Sequence, residues 1–210
     1  MGHLAGVTVT VDRSTPAPAR GELIAYTGTA VILGYSETGG GIDHHDVWLP
    51  SNGDYSPSWD KTSHVITVYQ PAPDGSLLGI VRTSQGSKDV CLAKLDPAAN
   101  LKAIRTACGL PLTIDPLGLV SPDGRWLGAP SLDNGQLKVA LLDLSRVFDS
   151  PAVAATWDAM YPATWMDATT LVVISSGTPM TAQIGQPALA PLTGTGLPPG
   201  AQLEPVRRLP

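Results

Sequence analysis

The densest set of side chains able to do chemistry lies in "GGGIDHHDVW" (39–48), which brings Asp43, His44, His45 and Asp46 together. Imidazole and carboxylate are the usual ligands of zinc and related ions. They are also the usual partners in general acid–base work. Strand geometry limits this set. Neighbouring residues of a strand point to opposite faces, so His44 and His45 cannot easily share one ion, and a half-site of one His and one Asp is what the spacing allows. The four are read as candidate binding residues, with no bound metal and no cofactor implied. Trp59, in a less regular stretch, is a fifth candidate, because an exposed loop tryptophan suits a partner surface.

Other chemistry is sparse. Gly-x-Ser-x-Gly is absent, and "GTGLPPG" (194–200) lacks the strand-then-helix setting of a phosphate loop. His3 and His64 are isolated, and His64 opens a strand as a structural histidine would. Asp74, Asp123 and Asp167 recur in turn words, so they read first as turn formers. Cys91 and Cys108 flank "DPAAN" (96–100), a turn between two apolar words. In a hairpin, facing residues have a constant sum of numbers, and these two centre on 99.5, close to the turn's own centre. Facing Cα atoms of an antiparallel pair are about 5 Å apart, within disulfide reach. A Cys91–Cys108 disulfide is therefore expected, and with it an oxidising compartment. Two buried free thiols in a cytoplasmic chain are the alternative.

The 18 acidic and 13 basic residues leave a net charge of −5, which argues against a nucleic-acid partner. No apolar run reaches the length of a membrane-spanning helix. The start, "MGHLAGVTVTVD", has neither the basic nor the long apolar region of a signal peptide. That leaves a cytoplasmic chain, or one shorn of its export signal or anchor. "DRSTPAPARGE" (12–22) has linker chemistry and favours the second.

The elements that must carry these residues repeat. "APDGSLLGIV" (72–81) matches "SPDGRWLGAP" (121–130) at a shift of 49, and the same shift lays "DVCLAKL" over "KVALLDL". Shifts of 43–46 bring in "TGTAVILGYS" (27–36), "DVWL" (46–49) and "MDATTLVVISS" (166–176). Four units follow, at about 22–63, 64–116, 117–162 and 163–210, after an N-terminal strand and linker over 1–21. Each reads as a first strand ("ELIAYT", "HVITVYQ", "LGLVS", "ATWMD"), a tight turn and a second strand. A polar Gly-rich turn such as "ETGGG", "SQGSK" or "SGTPM" leads to the third strand. "LKAIRTA", "AVAATW" and "QLEPVRR" supply outer strands. Pro presets φ, Asp bonds back to the backbone and Gly accepts φ > 0, which makes Pro-Asp-Gly a turn with a mechanism.

Four-stranded units of this length define an all-β chain, a β-propeller of about four four-stranded blades. "SPDGRWL" and "APDGSLL" resemble the repeat of TolB-type, WD40-like propellers (PD40), although only two of the four units carry Pro-Asp-Gly. The ring is a closed small propeller, a fragment of a larger one, or a half that dimerises. "VTVTVD" (7–12) would supply a closing strand. Of the tryptophans, Trp48, Trp126 and Trp165 read as core by repeat phase.

Repeats without a catalytic set point to a non-catalytic module, the extracytoplasmic part of a larger or anchored protein, that binds a protein, peptide or glycan. The alternative is a propeller hydrolase or lyase whose carboxylates or histidines converge on the central mouth, with or without a metal.

Overall fold

The computed structural model describes residues 2–5, 8–11, 21–35, 44–53, 55, 59–72, 74–84, 89–115 and 117–192. Four antiparallel sheets stand around one axis as a four-bladed propeller. Blade one holds β3 (Gly21–Tyr26), β4 (Val31–Tyr35) and β5 (His44–Trp48). Blade two holds β6 (Val65–Pro71), β7 (Leu77–Arg82), β8 (Val90–Asp96) and β9 (Lys102–Cys108). Blade three holds β10 (Leu119–Val120), β11 (Trp126–Asp133), β12 (Gln136–Asp143) and β13 (Ala155–Trp157). Blade four holds β14 (Tyr161–Trp165), β15 (Thr170–Ser175), β16 (Thr178–Gln183) and β17 (Ala190–Pro191). Each sheet follows chain order from the axis outwards. β1 (Gly2–Ala5) and β2 (Thr8–Val11), which takes in most of "VTVTVD", pair with each other in a separate two-stranded ladder.

Several details differ from the sequence reading. Blade one has three described strands, and "ETGGG" lies outside the described residues. The turn in "SGTPM" is only Ser176-Gly177, because Thr178 already pairs with Ser175. Proline is tolerated in β16 because, among the described residues, β17 pairs with Met180 and Thr181 and no strand lies on the outer side of Pro179. The outermost described strand of blade four is Ala190–Pro191, and "QLEPVRR" lies outside the described residues.

The first-to-second-strand turns behave as their chemistry dictates. Asp74 Oδ1 accepts from Ser76 N at 3.1 Å, Asp123 Oδ1 from Arg125 N at 3.2 Å and Asp167 Oδ1 from Thr169 N at 2.7 Å. Gly75 and Gly124 take φ of 80° and 74°, which a side chain would resist.

The second strands of the blades are largely apolar because alternate residues serve different interfaces. Leu77 and Val81 face blade one, in a cluster with Ile32 and Val47, while Leu78 and Ile80 face blade three and meet Leu127 and Ala129. Val139 and Leu141 continue the scheme against Leu171 and Val173 of blade four. Burying each such side chain stabilises the ring by about 1.5–3 kcal/mol. Cys91 and Cys108 are bonded to each other.

Candidate functional site

The first strand of every blade is innermost. The C-terminal ends of these four strands, with the turns that follow, wall a cavity of about 1040 Å³ on the axis. Tyr26 to Gly28, Gln70 to Ala72, Leu119 to Ser121 and Ala163 to Met166 all reach it. Local bonding fixes what these residues can offer. Tyr26 Oη donates to Gly28 O at 2.7 Å, and Trp165 Nε1 donates to Leu119 O at 3.0 Å, which also ties blade four to blade three. Both polar tips are thus used, and the rings present apolar faces. The Gln70 carboxamide is half-buried and has no hydrogen-bond partner among the described residues. No acidic, basic or imidazole side chain is in the described lining.

A smaller pocket of about 260 Å³ adjoins this cavity between blades two and three, and the two share Ala72 and Gly124. Asp74, Lys94, Asp123 and Arg125 give the side pocket its charge. Lys94 Nζ lies 2.6 Å from Asp74 Oδ2. That bond, helped by Ser76, pulls the Asp74 carboxyl down to about 2. Arg125 turns away to Asp143 Oδ2 at 3.3 Å and stacks on Trp126 with 4.8 Å to the ring centre. Ser121 Oγ donates to Asp123 Oδ1 and lowers the Asp123 pKa.

The sequence candidates lie elsewhere. Asp43 is outside the described residues, and so is the side chain of Trp59, whose backbone opens a 3-10 helix over Trp59–Thr62. His44, His45 and Asp46 are on β5, where alternation splits them. His45 faces blade two on the side of Val47, and Thr62 Oγ1 donates to its carbonyl. Burial lowers the His45 pKa to about 4, and its buried Nδ1 has no hydrogen-bond partner among the described residues. His44 and Asp46 share the other face. Asp46 is fully buried. Its Oδ1 accepts from its neighbour's backbone, Val47 N, at 2.8 Å, and its Oδ2 accepts from Tyr55 Oη at 2.6 Å. Tyr55 Oη also meets Tyr35 Oη. Burial raises both phenols, and for Tyr55 the bond to Asp46 adds to this.

This chain of groups stands at the end of blade one away from the axial cavity. His44 pairs with Tyr35 at the far end of β4, whereas the 27–30 turn marks the cavity end. No group of three or more His, Cys, Asp or Glu placed to hold a metal occurs among the described residues. His64 Nε2 bonds Leu101 O at 3.0 Å, as a structural histidine should. Trp48 and Trp157 are buried, whereas Trp126 and Trp165 are half-buried, and Trp165 lines the axial cavity.

The sequence reading missed Tyr26, Gln70 and Trp165 as site residues. Their shared feature is position in the blade: Tyr26 and Trp165 close β3 and β14, and Gln70 stands one residue before the end of β6. The fold and cavity define a class, the four-bladed propeller. No family model matches the chain, and no curated protein matches it in sequence.

Proposed function

We propose that this chain is a binding module of the PD40-like propeller kind, and that its axial cavity holds an uncharged, largely apolar peptide segment of a partner protein. The observation that carries this reading is a wall built by all four blades that, among the described residues, holds no acid or base and one carboxamide without a partner. A peptide group offers one donor and one acceptor, which a single carboxamide can match. A sugar ring offers several hydroxyls, for which Gln70 and the Thr164 hydroxyl are too few. The faces of Trp165 and Tyr26 suit an apolar side chain. Acid–base catalysis at the mouth would call for carboxylates or imidazoles, and the described wall brings none. The Cys91–Cys108 disulfide supports an extracytoplasmic setting.

Titration calorimetry with a panel of N-acetylated, C-amidated apolar tetrapeptides tests the reading. Trp165→Ala and Gln70→Ala should each weaken the best binder by about tenfold. Affinity unchanged in both variants overturns it.

A further inference from the structure

The repeat provides an internal control for the side pocket. At the shift of 49, Asp74 maps onto Asp123, and Lys94 maps onto Asp143. In blade two the turn aspartate is neutralised by that lysine at 2.6 Å. In blade three the same place holds a carboxylate. Arg125, which stands where Ser76 stands, is committed to Asp143 at 3.3 Å and to the face of Trp126. Asp123 therefore has no cation at ion-pair distance among the described residues. One of its oxygens is held by Ser121 Oγ and Arg125 N, and the other has no bond within the described residues. The pocket is lined by two carboxylates, Asp74 and Asp123, and two cations, Lys94 and Arg125, and of these four Asp123 is the one without an ion pair among the described residues. The pocket opens into the axial cavity through the residues they share, Ala72 and Gly124.

We infer that the side pocket between blades two and three is a subsite for a basic side chain, an ammonium or guanidinium that supplies Asp123 with the partner its repeat position lacks. The ligand is then an uncharged apolar residue on the axis followed by a lysine or arginine that reaches radially between the two blades. This inference rests on the axial-cavity reading and narrows it to one class of peptide. The apolar residue provides affinity, and the basic residue provides selection. A partly exposed ion pair is worth up to about 1 kcal/mol, or about fivefold in affinity.

Three capped dipeptides serve as probes: tryptophanyl-lysine, tryptophanyl-glutamine and tryptophanyl-glutamate. Binding is followed by amide NMR shifts of the whole chain. All three should move Val120 and the Trp165 indole, and only the lysine probe should also move Ser145, which lines the side pocket and not the axial cavity. The lysine probe should bind about fivefold more tightly than the glutamine probe, and the glutamate probe should bind weakest. Asp123→Asn keeps the acceptor that the turn needs, and it should erase the lysine advantage while leaving the glutamine probe unchanged. Asp143→Lys rebuilds the blade-two pair around Asp123 and should erase the advantage by filling the subsite from within. If all three probes bind equally and still shift Val120 and Trp165, the subsite is overturned and the axial reading stands. If the lysine probe shifts Ser145 while no probe moves Val120 or Trp165, the axial reading falls, and with it the two-part ligand. If nothing shifts, both are overturned.

Discussion

Cys91 and Cys108 face each other directly across β8 and β9, with Cα atoms 4.3 Å apart and their sulfurs joined. The bond ties the outermost described strand of blade two to its sheet neighbour and closes a hairpin of sequence separation 17. A loop of that size loses about 3 kcal/mol of denatured-chain freedom when cross-linked. For a chain of 210 residues this corresponds to a melting shift of about 10 °C. Melting with and without reductant should show that drop, and Cys91→Ala combined with Cys108→Ala should reproduce it without reductant. Equal melting temperatures would show that the bond contributes no stability.

The same pair shows what the sequence makes readable. The three Asp turns depend on contacts two residues apart, and the disulfide on the register of a single hairpin, so both are set locally. The blade count follows from repeat spacing, because each unit must bury both faces against its neighbours. The axial wall is different. Tyr26, Gln70 and Trp165 converge only because four first strands surround one axis, and no spacing in the chain announces that. "DHHD" misleads for the opposite reason. Its members are adjacent in the chain, yet alternation sends His45 towards blade two and Asp46 to the other face.

Gly79 and Gly128 are equivalent in the repeat, and their surroundings separate them. A Cβ on Gly79 would lie 2.3 Å from the backbone oxygen of Thr67, within the ladder of the same blade. On Gly128 it would lie 2.6 Å from Cδ2 of Leu171, the end of a side chain that can turn. Gly79→Ala should therefore cost about 3 kcal/mol or more, and Gly128→Ala about 1–2 kcal/mol. Urea unfolding of the two variants checks the order, and a reversed order would refute the steric account.

His45 should make the fold sensitive to mild acid. Its folded pKa lies below its ordinary 6.5, at about 4, chiefly because of burial. Between these values the unfolded chain binds a proton that the folded one refuses. Stability is therefore lost as pH falls from 6.5 towards 4, by about 3 kcal/mol in all. Asp74 acts in a lower window. Its folded pKa of about 2 against 3.8 gives stability that is present above 3.8 and lost only towards 2. Urea midpoints at pH 7.5, 6.0 and 5.0 should fall for the native chain and stay level for His45→Gln. A slope that survives the substitution would place its origin in another group.

Asp46 tests how blade one tolerates a buried carboxylate. It is fully buried, and its Oδ2 takes the Tyr55 hydroxyl at 2.6 Å. A hydrogen bond to a charged group is worth about 1.5–3 kcal/mol, and deleting the donor removes it while keeping the ring that fills the space. Tyr55→Phe should therefore lower stability by about 2 kcal/mol. Tyr35→Phe keeps the Tyr55–Asp46 bond and gives up the link between the phenols, so it should cost about half as much. The double variant should cost less than the two single losses together, because the phenols share that link. Equal losses for the two single variants, with full additivity, would show that Tyr55 does not hold the carboxylate. Chemical denaturation of the three variants at pH 7.5 reads this directly, above the range in which His45 gains its proton.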